Sequence, residues 1–156
     1  MKPLPPRTVS QARPILAAVV VGALGALASC GGDRSLSAWD DAACAAALKG
    51  PDAVDAFTWF KDPYGGPKRL GAFSNDEGLA FAYALEMKGA KRVVAVGVAR
   101  VTGPDAHERA AGLVVELPDE PEKRLALFRM GADQVRSRGY RAQPDVDQTY
   151  LYLPWR

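Results

Sequence analysis

Residues 15–28, ILAAVVVGALGALA, are fourteen positions without a charge or a strongly polar group. The run is short of the ~20 apolar residues that a spanning helix needs. Gly22 and Gly25 weaken it further as a permanent helix. Lys2, Arg7 and Arg13 lie ahead of it, and residues 1–29 contain no acid. A basic start, a short apolar core and small residues behind it form the layout of a secretory signal peptide. The segment is therefore set apart from whatever folds after it.

The run ends in Leu27-Ala28-Ser29-Cys30, followed by Gly31 and Gly32. These four residues resemble the lipobox of bacterial lipoprotein precursors. The resemblance covers only the N-terminal fifth of the chain. It implies cleavage by signal peptidase II just before Cys30, so that residues 1–29 are removed. It also implies a diacylglycerol on the Cys30 thiol and an acyl chain on its new amino group. One acyl chain, at ~0.8 kcal/mol per buried CH₂, anchors marginally, whereas two or more anchor stably. The expected partner is thus a lipid bilayer, reached through the chains on Cys30, and the expected location is the cell envelope. Gly31 stands where an aspartate would resemble an inner-membrane retention signal. In a cell with two membranes the resemblance therefore implies the outer one, facing the periplasm or the surface. An ordinary cleaved signal peptide with a coincidental cysteine, or an uncleaved short anchor, stays open on residues alone.

If Cys30 carries lipid, Cys44 is alone and no intrachain disulfide is available. Cys44 sits in AACAAAL with no cation beside it to lower its pKa, so it reads as a small packed residue. Residues 30–156 hold 17 basic and 18 acidic side chains. That near-neutral balance lacks the footprint of a nucleic-acid binder, and no nucleic-acid partner is expected. With 48% apolar and 24% charged residues, the chain has the composition of a folded domain.

Residues 30–37 read as the lipidated cysteine and a small, polar tether. Residues 38–66 read as a helical segment and loop. Ser37 can cap a first, alanine-rich helix that Gly50-Pro51 stops. DAVDAFTWF reads as a second short helix carrying Val54, Phe57 and Phe60, and KDPYGGP as a loop. Residues 67–156 have a clearer rhythm. KRLGAF is a short strand. Ser74 and Glu77 form a capping box that opens a helix closed by Gly89. KRVVAVGVARV alternates at period two, with Val94, Val96 and Val98 on one side. TGPDAHERAA is a polar loop, and GLVVELP is a strand. Asp119 and Glu122 box the next helix, whose stripe is Leu125, Phe128, Ala132 and Val135. TYLYLPW is the final strand. The expected fold class is α+β: a ferredoxin-like β-α-β-β-α-β sandwich behind an N-terminal helical segment.

Functions hosted by that topology leave few traces. The first strand–helix turn, AFSND, holds neither a C-x-x-C nor a basic phosphate cradle. YGGPKR, residues 64–69, is not G-x-x-x-x-G-K-[ST]. Asp145 and Asp147 do not extend to a calcium loop and read as a turn. His107 is the sole histidine, which excludes a two-histidine metal site. No catalytic residue, cofactor or metal is expected. Two candidate binding surfaces remain. One is Tyr150, Tyr152 and Trp155: the two tyrosines share a sheet face opposite Leu151 and Leu153, which is a binding surface if open, although the preferred reading is that the N-terminal helical segment, with Trp39, Phe57, Trp59 and Phe60, covers it. The other is the 102–111 loop with Asp105, His107 and Glu108. The favoured reading is a non-catalytic envelope lipoprotein that binds a protein or another envelope component. An immunity or inhibitor protein against a toxin, and a small carboxylate-dependent hydrolase, are the alternatives.

Overall fold

The computed structural model describes residues 40–155. The expectations for residues 1–29, Cys30, the 30–37 tether and Trp39 lie outside the described residues. So does the Ser37 cap. Helix α1 (Asp41–Leu48) starts behind Asp40, whose carboxylate accepts from Ala43 N at 2.9 Å. Strand β1 (Val54–Asp55) precedes α2 (Ala56–Lys61). The expected second helix starts late because Asp55 caps it, accepting from Thr58 N, while Val54 pairs with Ala95. Strand β2 (Lys68–Arg69) is shorter than expected: Gly71, at φ +61, sits in the turn that bridges Leu70 to Phe73. Helix α3 (Asn75–Met87) has the expected Ser74/Glu77 capping box, and Gly89 follows it at φ +98.

Strands β3 (Arg92–Val96), β4 (Ala99–Val101), β5 (His107–Arg109) and β6 (Gly112–Glu116) come next, then α4 (Pro121–Arg136) and β7 (Tyr150–Pro154). Pro121 at the first helical position moves the α4 cap from Asp119 to Glu120, which makes no side-chain cap bond. Asp119 pairs with Lys91 at 2.8 Å instead.

The fold is a mixed α+β arrangement. Among the described residues one sheet has the order β1-β3-β6-β7, every neighbour antiparallel. This differs from the split βαβ order. The 68–69 strand is not in the sheet, and β6 and β7 are adjacent and antiparallel rather than parallel with a strand between them. The reason is the return path. A 16-residue α4 advances about 24 Å. Residues 137–149 then carry the chain back, so that Leu117 N donates to Thr149 O at 2.9 Å and β7 starts where β6 ends.

Strands β3 and β6 run on into β4 and β5 as one bent hairpin. Val96 pairs with Gly112 and Ala99 with Arg109, and the two residues between on each side leave the ladder. Gly97 makes the bend at φ +62, where a Cβ would lie 2.7 Å from that of Ala111. Past it the alternation flips. Val98 packs with the helix-side core and not with Val94 and Val96. The tip of the hairpin joins β2 in a second sheet, order β2-β5-β4, with β2 and β5 parallel. The expected 102–111 loop thus contains a strand.

Both faces of the larger sheet are covered. Val93, Ala95, Leu113, Val115, Leu151 and Leu153 pack with the apolar sides of α2, α3 and α4. Val94, Val96, Val114 and Tyr152 pack with Cys44 of α1. The buried stripe of α4 is Leu127, Phe128, Gly131 and Val135. It is rotated from the expected one, because Gly131 lets the helix rest on Leu151 and Leu153, and Leu125 is left 50% exposed. The free edge of β7 is closed: Tyr150 N donates to Asp41, Tyr152 N donates to Gln143, and Pro154 has no N–H.

Gly97→Ala is expected to lower unfolding free energy by about 2 kcal/mol, from the left-handed backbone and the clash with Ala111. Gly66→Ala, at φ +75 with no neighbour within 4 Å, isolates the backbone part of that cost. It should lose about 1 kcal/mol. Urea unfolding of the two variants beside the parent reads the difference.

Candidate functional site

The aromatic surface weighed for the final strand is not assembled. Tyr152 is 3% exposed and its hydroxyl donates to Ala111 O at 3.3 Å. Tyr150 is half-buried beside it. Helix α1 covers this face with Cys44, Ala47 and Leu48. Phe57, Trp59 and Phe60 lie on the other face, not on this one. Burial first, then the charges of Asp41 and Asp40, push the Cys44 thiol up to about 12. Trp155 is also 3% exposed, but on the face opposite the tyrosines. Its ring lies 5.3 Å from that of Phe81 and 5.9 Å from that of Phe73, and the Arg138 guanidinium stands 4.1 Å above it.

The second candidate surface divides across the smaller sheet. Asp105 is exposed in the loop, and its backbone oxygen is 2.7 Å from His107 Nδ1. Glu108 faces the other way. Strand register places Lys68, Glu108 and Arg100 in one row across β2, β5 and β4. Arg69, Arg109 and Ala99 form the next row, on the opposite face.

The inner row holds a buried charge. The Lys68 side chain is 0% exposed, with Nζ 2.7 Å from Glu108 Oε2 and 3.4 Å from Asp62 Oδ2. Trp59 Nε1 donates to the same Glu108 oxygen at 3.0 Å. Asn75 accepts from Lys68 N, tying the start of α3 to β2. The loop after α2 closes over the ammonium at Gly65, where a Cβ would collide with Lys68 Nζ. Burial costs a lone ammonium several kcal/mol, so its two carboxylates are required.

The carboxylates respond accordingly. The Lys68 hydrogen bond holds Glu108 below its ordinary value, with burial opposing and Trp59 assisting. Asp62 is held low first by the Tyr64 backbone N–H, then by Lys68. A general acid working near neutrality needs a raised carboxyl pKa, and both shifts run the opposite way. The Lys68 ammonium is already engaged by two carboxylates. The cluster is a clamp that joins α2, the 62–67 loop, β2 and β5.

This lysine escaped the sequence analysis, which weighed it only within YGGPKR. Its main partner is forty positions away, so no local pattern announces it. Asp145 is engaged by Arg124, and Asp147 adopts φ +62 in the turn beyond. Among the described residues no group of three His, Cys, Asp or Glu side chains could hold a metal ion. Among the same residues no helix is long and apolar enough to cross a membrane. No protein-family model, curated protein or solved structure matches the chain.

Glu108→Gln is expected to cost about 3 kcal/mol, because it leaves a buried ammonium with its weaker partner. Lys68→Met combined with Glu108→Leu should cost less than Glu108→Gln alone, a non-additivity that a double-mutant cycle measures. The pH dependence has a fixed sign. Both carboxylates are depressed on folding, so their stabilisation is present above the ordinary values of 3.8 and 4.5. It is lost as pH falls through the lower folded values. Acid unfolding should therefore shift to higher pH in Lys68→Met.

Proposed function

We propose that this chain is a lipid-anchored protein of the cell envelope whose domain is a non-catalytic binding module. The observation that carries the reading is Leu27-Ala28-Ser29-Cys30, standing directly behind a basic start and a fourteen-residue apolar run. In this reading acyl chains on Cys30 hold the protein at a bilayer. Gly31 directs it to the outer membrane where the cell has two.

The length of the link favours a module that acts close to the membrane. Nine residues lie between Cys30 and Asp40, and the ten Cα–Cα steps that join them reach at most about 35 Å when extended. Confinement to such a shell raises the effective concentration of the domain toward envelope partners, so that modest affinity suffices. The domain also supports binding more readily than turnover. Its most buried charged cluster holds carboxylates that are depressed and engaged, which suits a rigid scaffold.

The chain produced in a bacterium with labelled palmitate is expected to take up label and to fractionate with membranes. Cys30→Ala is expected to lose the label and to leave the lipoprotein fraction. Label and membrane partition unchanged in Cys30→Ala would defeat the anchor. Crosslinking in native envelopes then reads the binding half: the parent should capture a discrete partner that Cys30→Ala captures several-fold less well, since it loses the local concentration.

A further inference from the structure

We propose that Arg138 and Trp155 form a binding site for the carboxylate of a small molecule. Two buried tryptophans make a first comparison. Trp59 Nε1 donates to Glu108 at 3.0 Å. Trp155 is as deeply buried, at 3% exposed, but its Nε1 has no acceptor. Two cations repeat the contrast. Lys68 sits between two carboxylates, whereas the buried Nη1 of Arg138 makes no hydrogen bond and Arg138 joins no ion pair among the described residues. Buried donors are paired in the great majority of cases, because an unmade bond forfeits the hydration of the group. Among the described residues Arg138 Nη1 and Trp155 Nε1 are the two buried side-chain polar atoms without a partner, and they belong to groups stacked on each other.

The two groups are held from their backbones. Arg138 follows α4, with its N–H on Val135 O at 3.2 Å, and Trp155 N donates to Ala111 O at 2.8 Å. The guanidinium carbon stands 4.1 Å from the centre of the indole and 5.2 Å from that of the Phe73 ring. Stacking offsets part of the cost of burying the cation but leaves its N–H bonds unmade. Burial lowers the Arg138 pKa and no carboxylate opposes it, yet a guanidinium stays charged near neutrality. The Gly71-Ala72 turn lies along the Nε1 edge of the indole. A Cβ on Gly71 would stand 2.7 Å from Trp155 Cδ1 and 3.6 Å from Nε1. Both turn residues are exposed, and neither puts a long side chain across the approach from solvent.

The donor set selects the ligand. Arginine and tryptophan side chains donate and cannot accept, so a group between them must accept. One positive charge beside one neutral N–H matches a monoanion with two acceptor oxygens. Nη1 is one bond from a carbon 4.1 Å from the indole centre, so one carboxylate can take an N–H from each residue at ~2.9 Å. A phosphate dianion would keep a charge that this single cation does not offset. Phe73 and Phe81 pack beside the indole and give apolar ground to the carbon that bears the carboxylate. This site goes beyond the binding-module reading and holds with or without lipid on Cys30.

The test uses the full chain in detergent micelles, with isotope-labelled indole nitrogens and sodium acetate as probe. Trp39, Trp59 and Trp155 give separate indole N–H resonances, assigned with Trp59→Phe and Trp155→Phe. The Trp155 resonance should move downfield and saturate with acetate, beyond any change in sodium chloride at equal ionic strength. The Trp59 resonance, already bonded to Glu108, should stay in place. Arg138→Gln should weaken acetate binding about tenfold, and Arg138→Lys, which keeps the charge but loses the fork, about threefold. Arg136→Gln, an exposed charge two positions away, should weaken it less than about twofold. An unmoved Trp59 resonance reports that a variant is folded, and the parent titration decides alone should Arg138→Gln unfold. A Trp155 resonance that acetate leaves in place or moves no more than chloride does, or equal losses in Arg136→Gln and Arg138→Gln, would overturn the proposal. Tighter binding of inorganic phosphate than of acetate overturns it in favour of a phosphoryl group.

Discussion

At Gly97 the hairpin that leaves as β3 and returns as β6 turns out of its own plane, because a left-handed backbone cannot continue the ladder. On one side of the bend the strands are covered by helices on both faces, and nearly every residue of β3, β6 and β7 is buried. On the other side the same hairpin becomes β4 and β5 and meets the two residues of β2. Here Arg69, Ala99 and Arg109 are exposed, while Lys68 is buried. The bend thus separates an apolar sheet, buried on both faces, from a charged sheet with an exposed row.

Polar contacts help to hold the charged sheet in place, beside the buried Leu70 and Ala110. A buried ion pair adds little relative to a well-packed apolar pair, yet losing one partner is costly. Lys68 is bound from three directions, by β5 through Glu108, which Trp59 of α2 also holds, by the 62–67 loop through Asp62, and by α3 through Asn75 on its backbone N–H. A slip of one residue in β2 would exchange Lys68 for Arg69, burying the wrong cation and turning the other outward. The clamp therefore fixes which arginines face solvent. At the opposite end Asp41 works on uncharged partners. Partial burial opposes its ionisation, but the Thr149 and Tyr150 bonds outweigh it and hold the carboxylate below its ordinary value.

Local signals were readable where local physics decides the outcome. Ser74 and Glu77 mark the start of α3, Gly89 marks its end, and Leu113, Val115 and Leu117 share a face as their spacing requires. Signals failed where a distant residue decides. Val98 changes sides because of one glycine, and the α4 stripe turns because Gly131 meets β7. The strand alone does not say what covers Tyr152 and Trp155: α1 encloses the tyrosine with Cys44, Ala47 and Leu48 rather than with the aromatics weighed for it, and Phe73 and Phe81 enclose the tryptophan. The fold class needed only element order. The sheet order needed the return path of 137–149, which carries no periodic pattern, and the Lys68 clamp needed a contact across forty residues.

The proposed anchor and the described domain meet in one account, in which acyl chains on Cys30 confine the protein to an envelope surface and residues 40–155 fold as an α+β body. The most direct measurement is the intact mass of the native protein extracted from membranes. The account predicts a chain whose first residue is Cys30, heavier than its sequence by a diacylglycerol and an acyl group. A chain that begins at Met1 with an unmodified thiol at Cys30 would contradict it.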